Sequence, residues 1–320
     1  MKRFISILMV VALVMLTFAA CGGNGGTAMT MGTGGTSGTY YGYGGILGNQ
    51  IKTATGVTVN VVSTDGSKAN ILGIATGNYQ LGTVQSDVMA YAWEGSRTFE
   101  EDGKVDSFRV IGGLYAEAVQ LVTMDPAIKS VADLKGKRVS IGAAGSGVYF
   151  NAVDVLAAAG MTEKDIVPQY QSFADSADAL KDKKIDAAFI VAGAPTPAIQ
   201  ELCTSADAYL VPIDGDIADK LMESSPYYTT YKIPAKTYDG QDEDVTTVTV
   251  KATLIVSASA SEEDVYNITK AIFDNADAIT KAHAKGAELS LENATDGMTA
   301  PFHAGAAKYF AEKGITVEAK

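Results

Sequence analysis

Five short stretches of this 320-residue chain place hydroxyls and glycines where a strand candidate runs into a helix candidate. They hold Thr36, Ser37, Gly38 and Thr39; Asp65, Gly66 and Ser67; Gln85, Ser86 and Asp87; Gly145, Ser146 and Gly147; and Gly193, Ala194 and Pro195. The first lies inside "MGTGGTSGTYYGYGG", the last inside "AGAP". At such a junction the first backbone N–H groups of the helix are unpaired, and with the helix dipole they bind an anion without a cationic side chain. Helix capping by Ser, Thr or Asp explains any one junction taken alone. Five together, with glycines where a backbone must approach something closely, point to the wall of a ligand site. Beyond Arg3 the chain has only Arg97, Arg109 and Arg138, so a clamp of several arginines on a carboxylate is not available. Arg138, in "GKRVSIG", reads as the opening of a strand. Tyr40, Tyr41 and Tyr149 flank the loops and suit either a ligand stem or helix packing.

The other chemistries that glycine and serine serve are excluded by spacing. Gly32 and Gly34 lead to Ser37, and Gly42 and Gly44 to Leu47, where a dinucleotide loop needs a third glycine; no P-loop sequence occurs. Neither Ser37 nor Ser146 lies in G-x-S-x-G, and no S-x-x-K is present. The two histidines, His283 and His303, read as surface or capping residues, and Cys203 has no histidine nearby. The expectation is a protein that is not an enzyme, with no cofactor and no metal.

The elements that must hold these loops alternate between β-branched runs and helical segments, an α/β pattern. "VTVNVV", "YQLGTV", "FRVIGGLY", "AVQLVTM", "RVSIG", "DIVPQYQS", "DAAFIVA" and "TVTVKATLIVSAS" read as strands. "SEEDVYNITKAIFDNADAITKAHAKG" reads as one helix, capped by Ser261 and Asp264, with an apolar stripe of Val265, Ile268, Ile272 and Ile279. "SGTYYG" echoes "SGVYFN" about 110 residues later, each opening a helix, which suggests two comparable lobes. At the front, residues 1–20 have Lys2 and Arg3, an apolar run and small residues, the pattern of a secretory signal. Cys21 follows as in a bacterial lipobox, although Phe18 departs from the usual aliphatic residue, and the glycines of residues 21–27 read as a flexible tether. Without Lys2 and Arg3, 23 basic residues face 37 acidic ones, a formal charge of −14 that argues against nucleic acid as a partner.

Read in order, "GTGGTSGTYYGYGGILG", "QSDV", "LYAEAVQLV", "LKGKRVSIGAAGSG", "DAAFIVAGAP", "IPAKTY" and "PFHAGAAKYFAEKG" resemble the TAXI proteins, extracytoplasmic solute receptors of TRAP transporters. The resemblance spans residues 31–314. It implies a two-lobed periplasmic-binding-protein fold of the second type, with one lobe of residues 28–122 and 252–320 and the other of 123–251. The strands near "AVQLVTM" and "TVTVKATLIV" would be the hinge. It also implies a small carboxylate or amino-acid ligand such as glutamate, glutamine or 2-oxoglutarate, a TRAP permease as partner, and a monomer held outside the cytoplasm by a lipid on Cys21. The implied ligand loops run over Gly35 to Tyr40, Gly66 to Asn70, Gln85 to Asp87, Ser146 to Val148 and Gly193 to Pro195. "STDGS" departs from the family's more usual serine- or threonine-glycine-glycine form, so that Asp65, which either faces the ligand or caps a helix, would in the first case disfavour an acidic group nearby. A binding lipoprotein of an ABC importer or a sensor is the alternative, and a purely structural surface lipoprotein a third reading.

Overall fold

The computed structural model describes residues 28–320; the signal, Cys21 and the tether expected at the front lie outside the described residues. Ten strands form one sheet: β1 (Ala28–Gly32), β2 (Thr58–Val62), β3 (Leu81–Gln85), β4 (Phe108–Thr123), β5 (Arg138–Ser140), β6 (Val167–Gln169), β7 (Ala187–Ala192), β8 (Tyr209–Val211), β9 (Thr229–Ile233) and β10 (Val245–Ser257). Their order is β2-β1-β3-β10-β4-β7-β5-β6, with β8 beside β4 and β9 beside β10. β1, β2 and β3 run parallel, as do β5, β6 and β7; the long antiparallel pair β4 and β10 joins the two groups. Parallel strands need crossovers, and helices supply them.

Those helices are α1 (Thr39–Thr55), α2 (Ser67–Ala75) and α3 (Ser86–Glu94) after β1, β2 and β3, then α4 (Val148–Ala158), α5 (Phe173–Lys181) and α6 (Pro197–Ser205) after β5, β6 and β7. Five more complete the set: α7 (Gly215–Ser224), α8 (Glu262–Phe273), α9 (Ala276–Ala282), α10 (Leu291–Thr295) and α11 (Ala304–Glu312). One apolar core gathers side chains from Met29 to Tyr115 and again from Ala252 to Phe310. Two others, on opposite faces of the remaining strands, are built from residues between Ala118 and Val250. β4 contributes Phe108 and Tyr115 to the first core and Val119 and Leu121 to the second; β10 contributes Leu254 and Val248 in the same way.

Two sequence expectations change. "FRVIGGLY" and "AVQLVTM" are one 16-residue strand, because Ala116 and Glu117 between them continue the ladder opposite Lys251 and Val250. The long helix breaks at Asn275 into α8 and α9, and the chain then tightens into a 3-10 turn (Ala284–Glu288). The Ser261 cap and the buried stripe of Val265, Ile268, Ile272 and Ile279 are present, as is the strand that Arg138 opens.

α8 and α11 cross so closely that a Cβ on Gly305 would lie 2.3 Å from the Glu262 carbonyl oxygen and 2.6 Å from the Tyr266 nitrogen. Backbone atoms cannot yield as a flexible side chain does. Gly305→Ala is therefore expected to destabilise the fold by about 1–3 kcal/mol, as overpacked sites do. A urea midpoint lowered at unchanged slope will show it.

Candidate functional site

A cavity of about 470 Å3 opens between the first core and the other two. Its wall takes Gly34 to Tyr40 from the β1–α1 junction, Ser63 to Ser67 from β2–α2, Gln85 from β3–α3, and Ala143 and Ser146 to Val148 from β5–α4. Gln171 to Ala174, Val191, Ala192 and Glu117 complete it. The N-caps of α1, α2, α3 and α4 are Gly38, Gly66, Gln85 and Gly147, and none makes a side-chain cap bond. Glycine has no side chain to cap with; in α2 the first-turn Lys68 N–H instead bonds the Gly145 carbonyl across the cavity, and in α3 the Asp87 carboxyl takes backbone N–H groups of its own first turn. α5, which also begins at the wall, is capped by Ser172, as α8 and α11 away from the cavity are by Ser261 and His303.

The two sides of the cavity are bonded to each other around it. Thr39 Oγ1 donates to the Gly193 carbonyl at 2.9 Å, Ala198 N–H to the Ser37 carbonyl at 3.1 Å, and Lys68 N–H to the Gly145 carbonyl at 3.2 Å. Gln85 Nε2 donates to Asn151 Oδ1 at 2.8 Å, and Asn151 Nδ2 donates to Asp87 Oδ2 at 2.9 Å and to the Tyr228 hydroxyl. Arg97 closes the same flank on Asp154 at 2.6 Å. Gly147 is required here: a Cβ on it would fall 1.3 Å from Gln85 Oε1.

No lysine, arginine or histidine lines the cavity among the described residues. Its carboxyl groups are Asp65, exposed at the rim, and Glu117, buried in the middle of β4. Burial pushes the Glu117 carboxyl up to about 8; Asp87 adds to the rise, while the Tyr40 hydroxyl, which donates to Oε2 at 2.6 Å, and Lys285 oppose it. Burial likewise holds the Tyr40 phenol well above its ordinary value, with Glu117 adding to it.

Of the residues expected from the sequence, Gly35, Thr36, Ser37, Gly38, Thr39, Tyr40, Gly66, Ser67, Gln85, Ser146, Gly147 and Val148 line the cavity. The others stand behind it. Asn70 is a strut, donating to the Thr33 and Thr83 carbonyls and accepting from Thr64. Ser86 accepts from Lys251 N–H, and Asp87 is sealed in the flank bond to Asn151. Gly145 and Gly193 offer carbonyls across the cleft, and Ala194 and Pro195 form a cis peptide behind Gly193. Both histidines cap: His283 accepts from Lys285 N–H, and His303 from Gly305 N–H. Burial pushes the Cys203 thiol up to about 11, the reverse of a reactive thiolate.

Glu117 and residues 171–174 are among the wall members that the strand–helix junctions did not mark. The sequence signal for Glu117 was a lone carboxylate inside the apolar run "LYAEAVQLV".

Residues 31–314 match the NMT1-like family. Among solved structures, the alkanesulfonate-binding protein SsuA from Xanthomonas axonopodis pv. citri bound to MOPS shares 16% identity over 90% of this chain and 91% of its own, at a TM-score of 0.50. A protein from Bordetella bronchiseptica RB50 shares 18% over 89% of each chain, at 0.54. A structure assigned to an L-cystine ABC transporter from Listeria monocytogenes shares 17% over 82% of this chain and 98% of its own, at 0.51. The fold is thus the mixed α/β fold of type II periplasmic binding proteins.

Asp87 generates a test of the flank. Burial raises its carboxyl to about 6, against the opposing bonds from Asn151 and backbone N–H groups. A raised folded value means that this group's contribution to stability is greatest at low pH, is lost as pH rises from about 4 to 6, and stays lost above. Asp87→Asn keeps an acceptor for Asn151 and removes the buried charge. Its expected gain at pH 7.5 is ~1–3 kcal/mol over wild type, shrinking towards pH 4.5, read from urea unfolding at both pH values.

Proposed function

The chain belongs to the NMT1-like family, and from that premise we propose that it is a solute-binding receptor that captures a small anionic solute and hands it to a membrane importer. The observation that carries this reading is the cavity itself. Four helices begin at its wall without side-chain caps, no cationic side chain among the described residues lines it, and bonds between its two sides surround it. Backbone donors at helix starts suit a carboxylate or sulfonate head group. The lobes of this reading are residues 28–122 with 252–320, and residues 123–251, hinged at β4 and β10. A ligand that touches both lobes shifts the population towards the closed form by its differential affinity, and the closed form is what a permease selects.

An ABC-type importer is the favoured partner, because the Listeria monocytogenes neighbour is assigned to such a system and the Xanthomonas neighbour is an alkanesulfonate-binding protein. The ordered sequence motifs that resemble TAXI receptors favour the second reading, a TRAP permease with a ligand such as glutamate. Uptake that fails when ATP is depleted but survives collapse of the ion gradient supports the first, and the reverse the second. No helix among the described residues is long and apolar enough to cross a membrane. Placement outside the cytoplasm, with a lipid on Cys21, is part of the proposal.

The test is a thermal-shift panel of 2-oxoglutarate, succinate, glutamate, glutamine, ethanesulfonate and glucose. A ligand at 100 times its dissociation constant adds about 2.7 kcal/mol of stability. Shifts confined to the anions are expected. Gly147→Ala, which drives Gln85 out of its place against the opposite wall, is expected to weaken the binding anion by about tenfold or more, close to 1.4 kcal/mol, in a protein that still folds. Equal shifts with glucose, or unchanged affinity in the variant, would remove the cleft from the reading.

A further inference from the structure

The buried carboxyl in the cavity narrows the ligand class, on the premise that the cavity is the receptor's cleft. Glu117 is 2% exposed and lines the cavity from the centre of β4. Among the described residues its carboxyl makes one hydrogen bond, accepting from the Tyr40 hydroxyl on Oε2. In that bond the Tyr40 hydroxyl is the donor, at 2.6 Å from Oε2. Oε2 is thereby an acceptor already in use, and Oε1 is left for the cavity.

We propose that Glu117 is the specificity residue of the cleft, offering Oε1–H as a hydrogen-bond donor to an acceptor group of an organic acid that carries no ammonium group.

The surrounding charges agree. The ionisable groups that act on Glu117 are Tyr40 from α1, Asp87 from α3, Tyr115 from its own strand and Lys285 from the 3-10 turn, with Asp65 at the rim. Lys285 is the one cation among them, and it is occupied: its Nζ meets Glu288 Oε1 at 2.5 Å and the Tyr231 hydroxyl at 3.2 Å. Burial accordingly raises the Glu117 carboxyl to about 8, and at neutral pH it carries its proton. An ammonium group placed there meets a neutral acid and has no counter-charge. An anion whose head group lies on the helix starts gains a donor for its second acceptor. An ionised Glu117 would repel the same anion.

The experiment is calorimetric titration of 2-oxoglutarate, succinate and ethanesulfonate, whose charges do not change between pH 6.5 and 9.5, into wild type, Glu117→Gln and Glu117→Ala. L-glutamate at pH 6.5 and 8 is the ammonium-bearing comparison. A free-state carboxyl near 8 loses its proton across this range, so wild-type affinity for the binding anion is expected to fall about 30-fold from pH 6.5 to 9.5. Glu117→Gln keeps a donor and is expected to bind within about threefold of wild type at pH 6.5, without the pH dependence; Glu117→Ala is expected to bind at least tenfold more weakly. Glutamate binding that tightens with pH and vanishes in Glu117→Gln would overturn the proposal in favour of an ammonium partner. Anion binding unaffected by Glu117→Ala would overturn it alone and leave the cleft reading standing. Failure of every probe to bind wild type would overturn both.

Discussion

The pairing of β4 with β10 is the constraint from which the remaining architecture follows. The two strands are antiparallel from Phe108 opposite Ser257 to Ala118 opposite Thr249, and each carries side chains into more than one core. A polypeptide that leaves one core and returns to it must cross twice, and a hydrogen-bonded ladder lets both crossings share one set of backbone partners. The ladder slips twice, between Ala252 and Thr253 and between Leu254 and Ile255. Such irregularities bend and twist a strand pair locally. They lie within the first core, close to the point where the strands pass into the second. Glu117 faces Val250 on this same ladder, so the cavity's central carboxyl is carried by the element that connects its two sides.

The remaining wall is built from strand ends. In each parallel group the strands deliver their carboxyl ends to the same edge, where helices begin, and ligands collect there in open α/β sheets. Two such edges, facing each other across β4 and β10, place uncapped helix starts on both sides of one volume. The electrostatics are then fixed by backbone instead of side chains. A site of partial positive charges from N–H groups needs no arginine, and a carboxyl inside it has no compensating cation. Burial raises both Glu117, inside the cavity, and Asp87, behind it, against the opposing Tyr40 bond and Lys285 charge for the first and the Asn151 and backbone bonds for the second.

How much of this was legible in the sequence depends on how local the signal is. Strand–glycine–helix junctions are local, and twelve of the residues they and the family resemblance marked sit on the cavity wall. Asn70, Ser86 and Asp87, the fourth, first and second residues of their helices, are turned away from the cavity, whereas Thr39 and Tyr40, the first and second of α1, line it; spacing along the chain does not record that rotation. The two strands read on either side of Ala116 and Glu117 are one, because a long-range partner strand opposite Ala116 and Glu117 keeps the chain extended. The break at Asn275 had its own cause: the Asn275 side chain donates to the Ala271 carbonyl, a local bond that competes with helix continuation. Glu117 was hidden because nothing nearby in sequence explains a carboxylate in an apolar strand. Its partner Tyr40 is 77 residues away.

The flank bonds around the cavity bear on how the cleft works as a unit. Those on one side are backbone carbonyls of Ser37, Gly145 and Gly193 accepting from the opposite wall, and they impose geometry with little charge. Those on the other run through Gln85, Asn151, Asp87, Tyr228, Asp154 and Arg97, and include buried charge. Gln85 belongs to both the wall and this network: its Nε2 is committed to Asn151, while its Oε1, which has no partner among the described residues, lies over Gly147. A ligand donor that reaches Gln85 therefore touches a wall residue already bonded across the cleft. The free energy of that contact is available only when the two sides are together, which is the condition for binding to favour closure.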